Sequence, residues 1–372
     1  MTNLARTRVI VFSEPSINRG GLWRQYDAAR VGFTSGELGC FRIEQIPAAR
    51  LSLRVLLLRE QFAARLRRLA AQGVFIGTSS WKYPGWFDTL YDRSRYVWRG
   101  RFSEARFERN CLAEYAEVFP TVSVDASYYK FPTAEFLAGL AAQVPERFQF
   151  AFKVTDEITL KHWPHVPRSG ARAGLVNPRF LDAGLFTDAF LGPLEAIRTK
   201  VGLVMLEFSR FSPQDFARGA DFAAALDAFL ERVPRGWPLG IELRNRHWLQ
   251  PEYFSVLARH GVTHIYNAWA DMPPVGEQMA LPGSEPNPAL LAARFLLREG
   301  RRYEEAVKQF SPYRELQEAN PEGRVSATKL IRRGQQSGGK TKVSLFVNNR
   351  YEGHAPGTIK AVLDAVEAAE GQ

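Results

Sequence analysis

Cysteine is scarce: only Cys40 and Cys111 occur among the 372 residues. They lie far apart and in no paired ligand spacing, which argues against both a disulfide framework and a structural zinc site. Long apolar runs are missing too. None reaches the roughly 20 residues that span a bilayer, so no membrane partner is expected. The N-terminus does not read as a basic segment, an apolar stretch and a small-residue cleavage site, so the expected location is cytoplasmic. There is no phosphate-binding loop, no glycine fingerprint after a strand and no metalloprotease helix motif, so the cofactor stays unassigned. Histidine is sparse at six residues. His162 and His165 stand three apart in HWPH, but the intervening Pro164 predicts a loop and no metal site is expected.

What is present is an ordinary globular composition, 45% apolar and 24% charged, sufficient for a large core. The formal charge of +10 is unevenly placed. Residues 1–72 hold twelve Arg, no Lys and five acids, whereas 73–372 hold 37 basic and 34 acidic residues. One local basic stretch, Arg324 to Lys342, carries six Lys or Arg and no acid. It reads as a solvated helix end and loop, or as a phosphate-binding patch. A nucleic-acid partner fits the N-terminal arginines but not the near-balanced remainder.

Residues 1–50 show neither helical nor strand periodicity and predict a poorly ordered basic extension, whose removal should leave the rest of the fold intact. From Leu51 to Gly73 leucine and phenylalanine recur among arginines at helical spacing, and Gly73 is a natural stop. This predicts an amphipathic helix leading into the main domain, placed to cover its underside. From Val74 onward, short β-rich runs alternate with longer amphipathic stretches, as in parallel βα units. Eight strands are predicted: 74–79, 121–126, 148–154, 202–208, 238–244, 262–268, 293–298 and 342–348. Helices are predicted near 103–118, 133–143, 180–199, 214–232, 251–260, 302–318, 322–334 and 356–369. Such a pattern over residues 74–372 fits the α/β class as a single closed (β/α)8 barrel of the triosephosphate isomerase type, a fold that needs about 250 residues. An open doubly wound sheet is the alternative.

Several separated motifs carry a resemblance. IGTSSWKYPGW, CLAEYAEVFPTVSVDASYYKFP, FQFAFKVTDEIT, IELRNRHW and FVNNRYEGHAP stand in the order found in the domain of unknown function 72 family, over residues 74–370. The resemblance implies a TIM-type barrel without an assigned activity. Departures from the family pattern include Asp125 where Glu is usual, Glu207 where Gln is usual, and Asn267 where the sixth strand often ends in Asp. The seventh strand, usually Tyr-Val-Arg-Leu-His-Gly, here reads FLLREG with its arginine at Arg298, displaced by one residue.

In such barrels chemistry gathers at the C-terminal ends of the strands, because those ends and the loops after them converge on one cavity. That rule selects Ser79, Ser80, Trp81, Asp125, Ser127, Tyr128, Lys153, Glu207, Glu242, Arg244, Trp248, Asn267, Arg298, Asn348 and Asn349. Lys153, Glu242 and Arg244 are the candidate catalytic residues. Lys153 follows an apolar strand and reads either as a base or Schiff-base nucleophile, or as half of an ion pair with Glu207, Asp125 or Glu242. Glu242 and Arg244 are two apart on one strand and share a face. They offer an acid–base group and an anion clamp, or a mutual structural pair. Trp81, Asp125, Tyr128, Glu207, Trp248, Asn267, Asn348 and Asn349 are the candidate ligand contacts. Tyr83, Trp86 and Tyr129 add flat faces near the same rim. Two functions follow as expectations. One is an enzyme acting on a polar anionic small molecule or a phosphodiester; the other is a non-catalytic ligand- or nucleic-acid-binding barrel.

Overall fold

The structure, a computed structural model, describes residues 48–369. The predicted extension at 1–50 falls almost wholly outside them, as does Cys40. Eight parallel strands close into a barrel: β1 Val74–Thr78, β2 Thr121–Val124, β3 Gln149–Lys153, β4 Val201–Phe208, β5 Leu239–Leu243, β6 Thr263–Ala268, β7 Leu290–Phe295 and β8 Lys342–Val347. Each strand pairs with the next, and β1 closes the ring against β8, with Val74 opposite Val343, and against β2, with Thr78 opposite Val122. The longer helices are α1 Ala48–Ala71, α2 Glu104–Ala116, α3 Ala134–Ala141, α4 Gly219–Arg232, α5 Pro251–His260, α6 Tyr303–Phe310, α7 Pro321–Gln336 and α8 Ala355–Ala368.

The period-2 alternation of the strands sorts their side chains. Val122, Val124, Ile241, Leu243, Leu291, Phe295, Val343 and Leu345 face outward and join the core beneath the helices. Inward, Ala151, Leu203, Met205, Ile265, Ala292 and Phe346 form a separate apolar plug at mid-barrel. Below the plug Lys342 Nζ donates to Gln149 Oε1 at 2.7 Å. Above it the next inward positions are almost all polar, and that change of chemistry marks the mouth. Gly77 permits closure: a Cβ there would lie 2.0 Å from the Thr121 carbonyl oxygen.

Four predicted elements differ. The helix expected at 302–318 ends at Phe310, because Pro312 cannot continue it. The seventh strand spans 290–295, not 293–298, because LLAARF is the run that pairs with β6 and β8. The helix expected at 180–199 is a chain of short turns of mixed type from Ala183 to Lys200. There Gly192 and Pro193 interrupt regular α-helical bonding. Finally, α1 does not cover the barrel's underside. It lies between α2 and α8, fixed by Arg59 to Glu117 at 2.6 Å and by Arg65 to Asp364 at 2.8 Å and Glu367 at 3.0 Å. Its Ala63, Leu66 and Leu69 are buried in the outer core.

Candidate functional site

Six charged side chains from β2 to β7 meet at the top of the barrel interior. Lys153 ends β3 and its Nζ lies 2.9 Å from Glu207 on β4. Arg244, just past β5, reaches Glu207 and Glu242 at 2.8 Å each. Arg294, near the end of β7, bridges the same two carboxylates at 2.7 and 2.6 Å. Asp125 stands 3.9 Å from Arg294. Lys153, Glu242 and Arg244 therefore share one cluster, and Glu207 and Arg294 complete it.

Burial and charge oppose each other here. Burial pushes the Glu207 carboxyl upward, but Arg244, Lys153 and Arg294 together hold it well below the usual carboxylate range. Burial would likewise lower the Lys153 ammonium, yet Glu207 outweighs it and the net shift is upward. Lys153 is thus held protonated as the partner of an ion pair, so the base and Schiff-base readings lose their physical basis. Arg294 is also raised, because Glu242 and Glu207 overcome its desolvation.

The depressed Glu207 sets a pH dependence. A group whose folded pKa is lowered stabilises the fold above its unfolded value, near 4.5, and loses that contribution as pH falls toward the folded value. A Glu207→Gln variant should therefore show a flatter decline of unfolding free energy between about pH 5 and 3 than the parent. Urea denaturation across that window checks it, and an unchanged slope would refute the assignment.

Two aromatic rings flank the cations. Lys153 Nζ lies 3.9 Å from the Tyr128 ring centre, and the Arg244 guanidinium 3.9 Å from that of Trp269. Beside Tyr128, Arg168 pairs with Asp156 and lies 5.6 and 5.3 Å from the Tyr128 and Tyr129 rings. Trp269, not Trp248, covers Arg244. The chain turns through a short helix at Arg246–Trp248, which sends Trp248 outward to stack on Phe211 and Phe222 at 5.6 and 5.9 Å.

The remaining candidates divide by face. Asn267 points inward, fully buried, its Nδ2 donating to the Leu243 carbonyl at 3.2 Å while Oδ1 has no partner. Asn348 is also inward and caps the short helix Asn349–Glu352 by accepting from the Arg350 amide at 3.0 Å. Asn349 faces the helices, where its Oδ1 accepts from Trp86 Nε1 at 3.2 Å and the Ala355 amide at 2.8 Å. Trp81 and Trp86 belong to the outer core rather than the rim. Ser127 donates to the Val124 and Lys153 carbonyls, fixing the turn after β2. Arg298 lies outside the barrel, 3.5 Å from Glu318, because β7 ends three residues before it. The arginine of the seventh strand is Arg294.

His162 Nδ1 meets Asp215 at 2.5 Å, joining the loops after β3 and β4. Among the described residues no three His, Cys, Asp or Glu side chains group as metal ligands would. Also among them, no helix is long and apolar enough to cross a membrane.

Fold and site together define a TIM-type barrel with an ion-paired polar mouth at the C-terminal ends of its strands. The chain belongs to the family described as "Protein of unknown function DUF72", which matches residues 75–372. A DUF72 family protein of Enterococcus faecalis V583 superimposes with a TM-score of 0.52 at 21% identity, covering 78% of this chain and 95% of its own, a likeness of fold alone. A DUF72 family protein of Thermotoga maritima MSB8 gives a TM-score of 0.49 at 16% identity, over 80% of this chain and 99% of its own. No curated protein matches the chain.

Proposed function

We propose that the barrel mouth binds a small organic anion, a carboxylate or phosphate ester, through Lys153 and Arg244. The observation that carries this reading is the layering of a charge-balanced cluster: Lys153 and Arg244 are its outermost cations, 12% and 11% exposed, while Glu207, Glu242 and Arg294 beneath them are at most 4% exposed. An anion seated over them would extend the network, since buried charge is stable only when paired. Orphaned polar atoms support it as well. The Ser79 and Ser123 hydroxyls and the Arg294 Nε are buried without a partner at neighbouring inward positions.

If the bound anion is also transformed, the acid–base group is Asp125, a quarter of whose side chain is exposed. Glu207 and Lys153 are each locked in the charged form and suit electrostatic stabilisation better than proton transfer.

The test is calorimetric titration of the full chain with inorganic phosphate, a sugar phosphate and a dicarboxylate. Arg244→Lys keeps the charge that Glu207 and Glu242 need but removes the planar fork. In a variant that still unfolds cooperatively it should weaken the best anion about tenfold, the loss expected for one charged hydrogen bond. Equal affinity in parent and variant would overturn the assignment, as would the absence of binding to any anion.

A further inference from the structure

A cavity of about 200 Å³ opens beside the mouth, between the loop after β6, the loop after β7 and the start of α7. One wall is apolar: Trp269, Met272, Pro273 and Pro274. The other is polar and unsatisfied. Tyr351 is only 3% exposed, yet its hydroxyl has no hydrogen-bond partner among the described residues and lines the cavity. It is pressed against Gly323, where a Cβ would come within 1.7 Å of the oxygen. Burial and the neighbouring Glu352 push this phenol upward, so it stays a donor. Arg298 stands on the same lining with its guanidinium 3.5 Å from Glu318, leaving donors free. Glu299 and Glu322 also line the cavity, and neither forms an ion pair among the described residues.

Donors without acceptors on one side, carboxylates without cations at the rim and an apolar wall between define a ligand with both charges and a hydrophobic body. We infer that this cavity binds a free α-amino acid with an apolar side chain. Its carboxylate accepts from the Tyr351 hydroxyl and Arg298, its ammonium donates to Glu299 and Glu322, and its side chain packs on Trp269 and Met272. The volume of about 200 Å³ leaves room for such a molecule. Neither Lys153 nor any carboxylate of the mouth takes part, so this site stands whether or not the mouth binds an anion. Trp269 borders both, packing on Arg244 and lining the cavity.

Calorimetric titration of the full chain with L-methionine, L-leucine and L-phenylalanine tests it. The amine and the carboxylic acid that match the tightest of the three are titrated beside it. The amino acid should bind, and each half-charged analogue should bind about tenfold or more weakly, as a lost charged contact requires. Tyr351→Phe should weaken the amino acid by a similar factor at an unchanged melting temperature; should that variant misfold, Arg298→Met reads the same contact. Glu322→Gln should weaken the amino acid and leave the acid analogue unaffected. Absence of binding by all three amino acids at millimolar concentration, or an acid analogue as tight as the amino acid itself, would overturn the inference.

Discussion

Replacing Arg294 with methionine should cost the fold about 3–5 kcal/mol, the loss typical of removing one partner from a buried ionic network. Arg294 is 3% exposed and is the residue that ties both Glu207 and Glu242 from the β7 side. Methionine fills comparable volume, so the loss reports charge rather than a cavity. The two carboxylates would keep Arg244 between them, and Glu207 would keep Lys153, but Glu242 would have no second cation. Combining Arg294→Met with Glu242→Gln removes the uncompensated charge and should recover a measurable part of the loss, because the two sites are in contact and their effects are coupled. Urea denaturation at neutral pH measures all four proteins of the cycle. A loss below about 1 kcal/mol for Arg294→Met would mean that Arg244 alone neutralises the pair and that the bridging geometry adds little.

Why Arg294 escaped the sequence reading is instructive. LLAARFLLREG is apolar enough to admit a strand in more than one frame, and the frame at 293–298 put Arg298 at its end. In the frame the barrel adopts, Arg294 falls two residues after Ala292, on the inward face. A three-residue slip changes both which arginine ends the strand and which way it points. The signal available was chemical: one cation in the middle of a run of leucine, alanine and phenylalanine needs a buried partner. Lys153, Glu207, Glu242 and Arg244 were legible because each ends a strand whose apolar alternation admits one register. Trp248 and Trp269 were not separable by the same rule. Trp248 lies five residues past β5 and Trp269 directly after β6, and only the turn through Arg246–Trp248 decides that the first packs on Phe211 and Phe222 while Trp269 lies over Arg244. Likewise α1 was readable as an amphipathic helix, but its place depends on partners more than forty residues away. Those are Glu117 on one side and Asp364 and Glu367 on the other.

That placement gives the largest expected effect. A chain starting at Gly73 should fail to form a stable barrel, whereas one starting at Ala48 should melt within a few degrees of the full chain. In α1, Leu66 is fully buried, Leu69 and Ala63 nearly so, and Phe62 packs edge-on to Phe119 at 5.5 Å. Burying each leucine contributes about 1.5–3 kcal/mol. Removing the helix forfeits that, exposes the apolar surface of α2 and β1 beneath it, and takes both arginine partners, Arg65 and Arg68, from Glu367. A deficit of several kcal/mol is comparable to the whole net stability of a domain, about 5–15 kcal/mol. Residues 1–47, by contrast, show no core-forming period in the sequence. Leu66→Ala provides the graded version: a loss of about 2–5 kcal/mol, as expected for a leucine truncated in a packed core. Circular dichroism melts of the two truncations and the point variant settle the matter. A chain from Gly73 that melts cooperatively near the parent temperature would show α1 to be an accessory rather than part of the barrel's outer core.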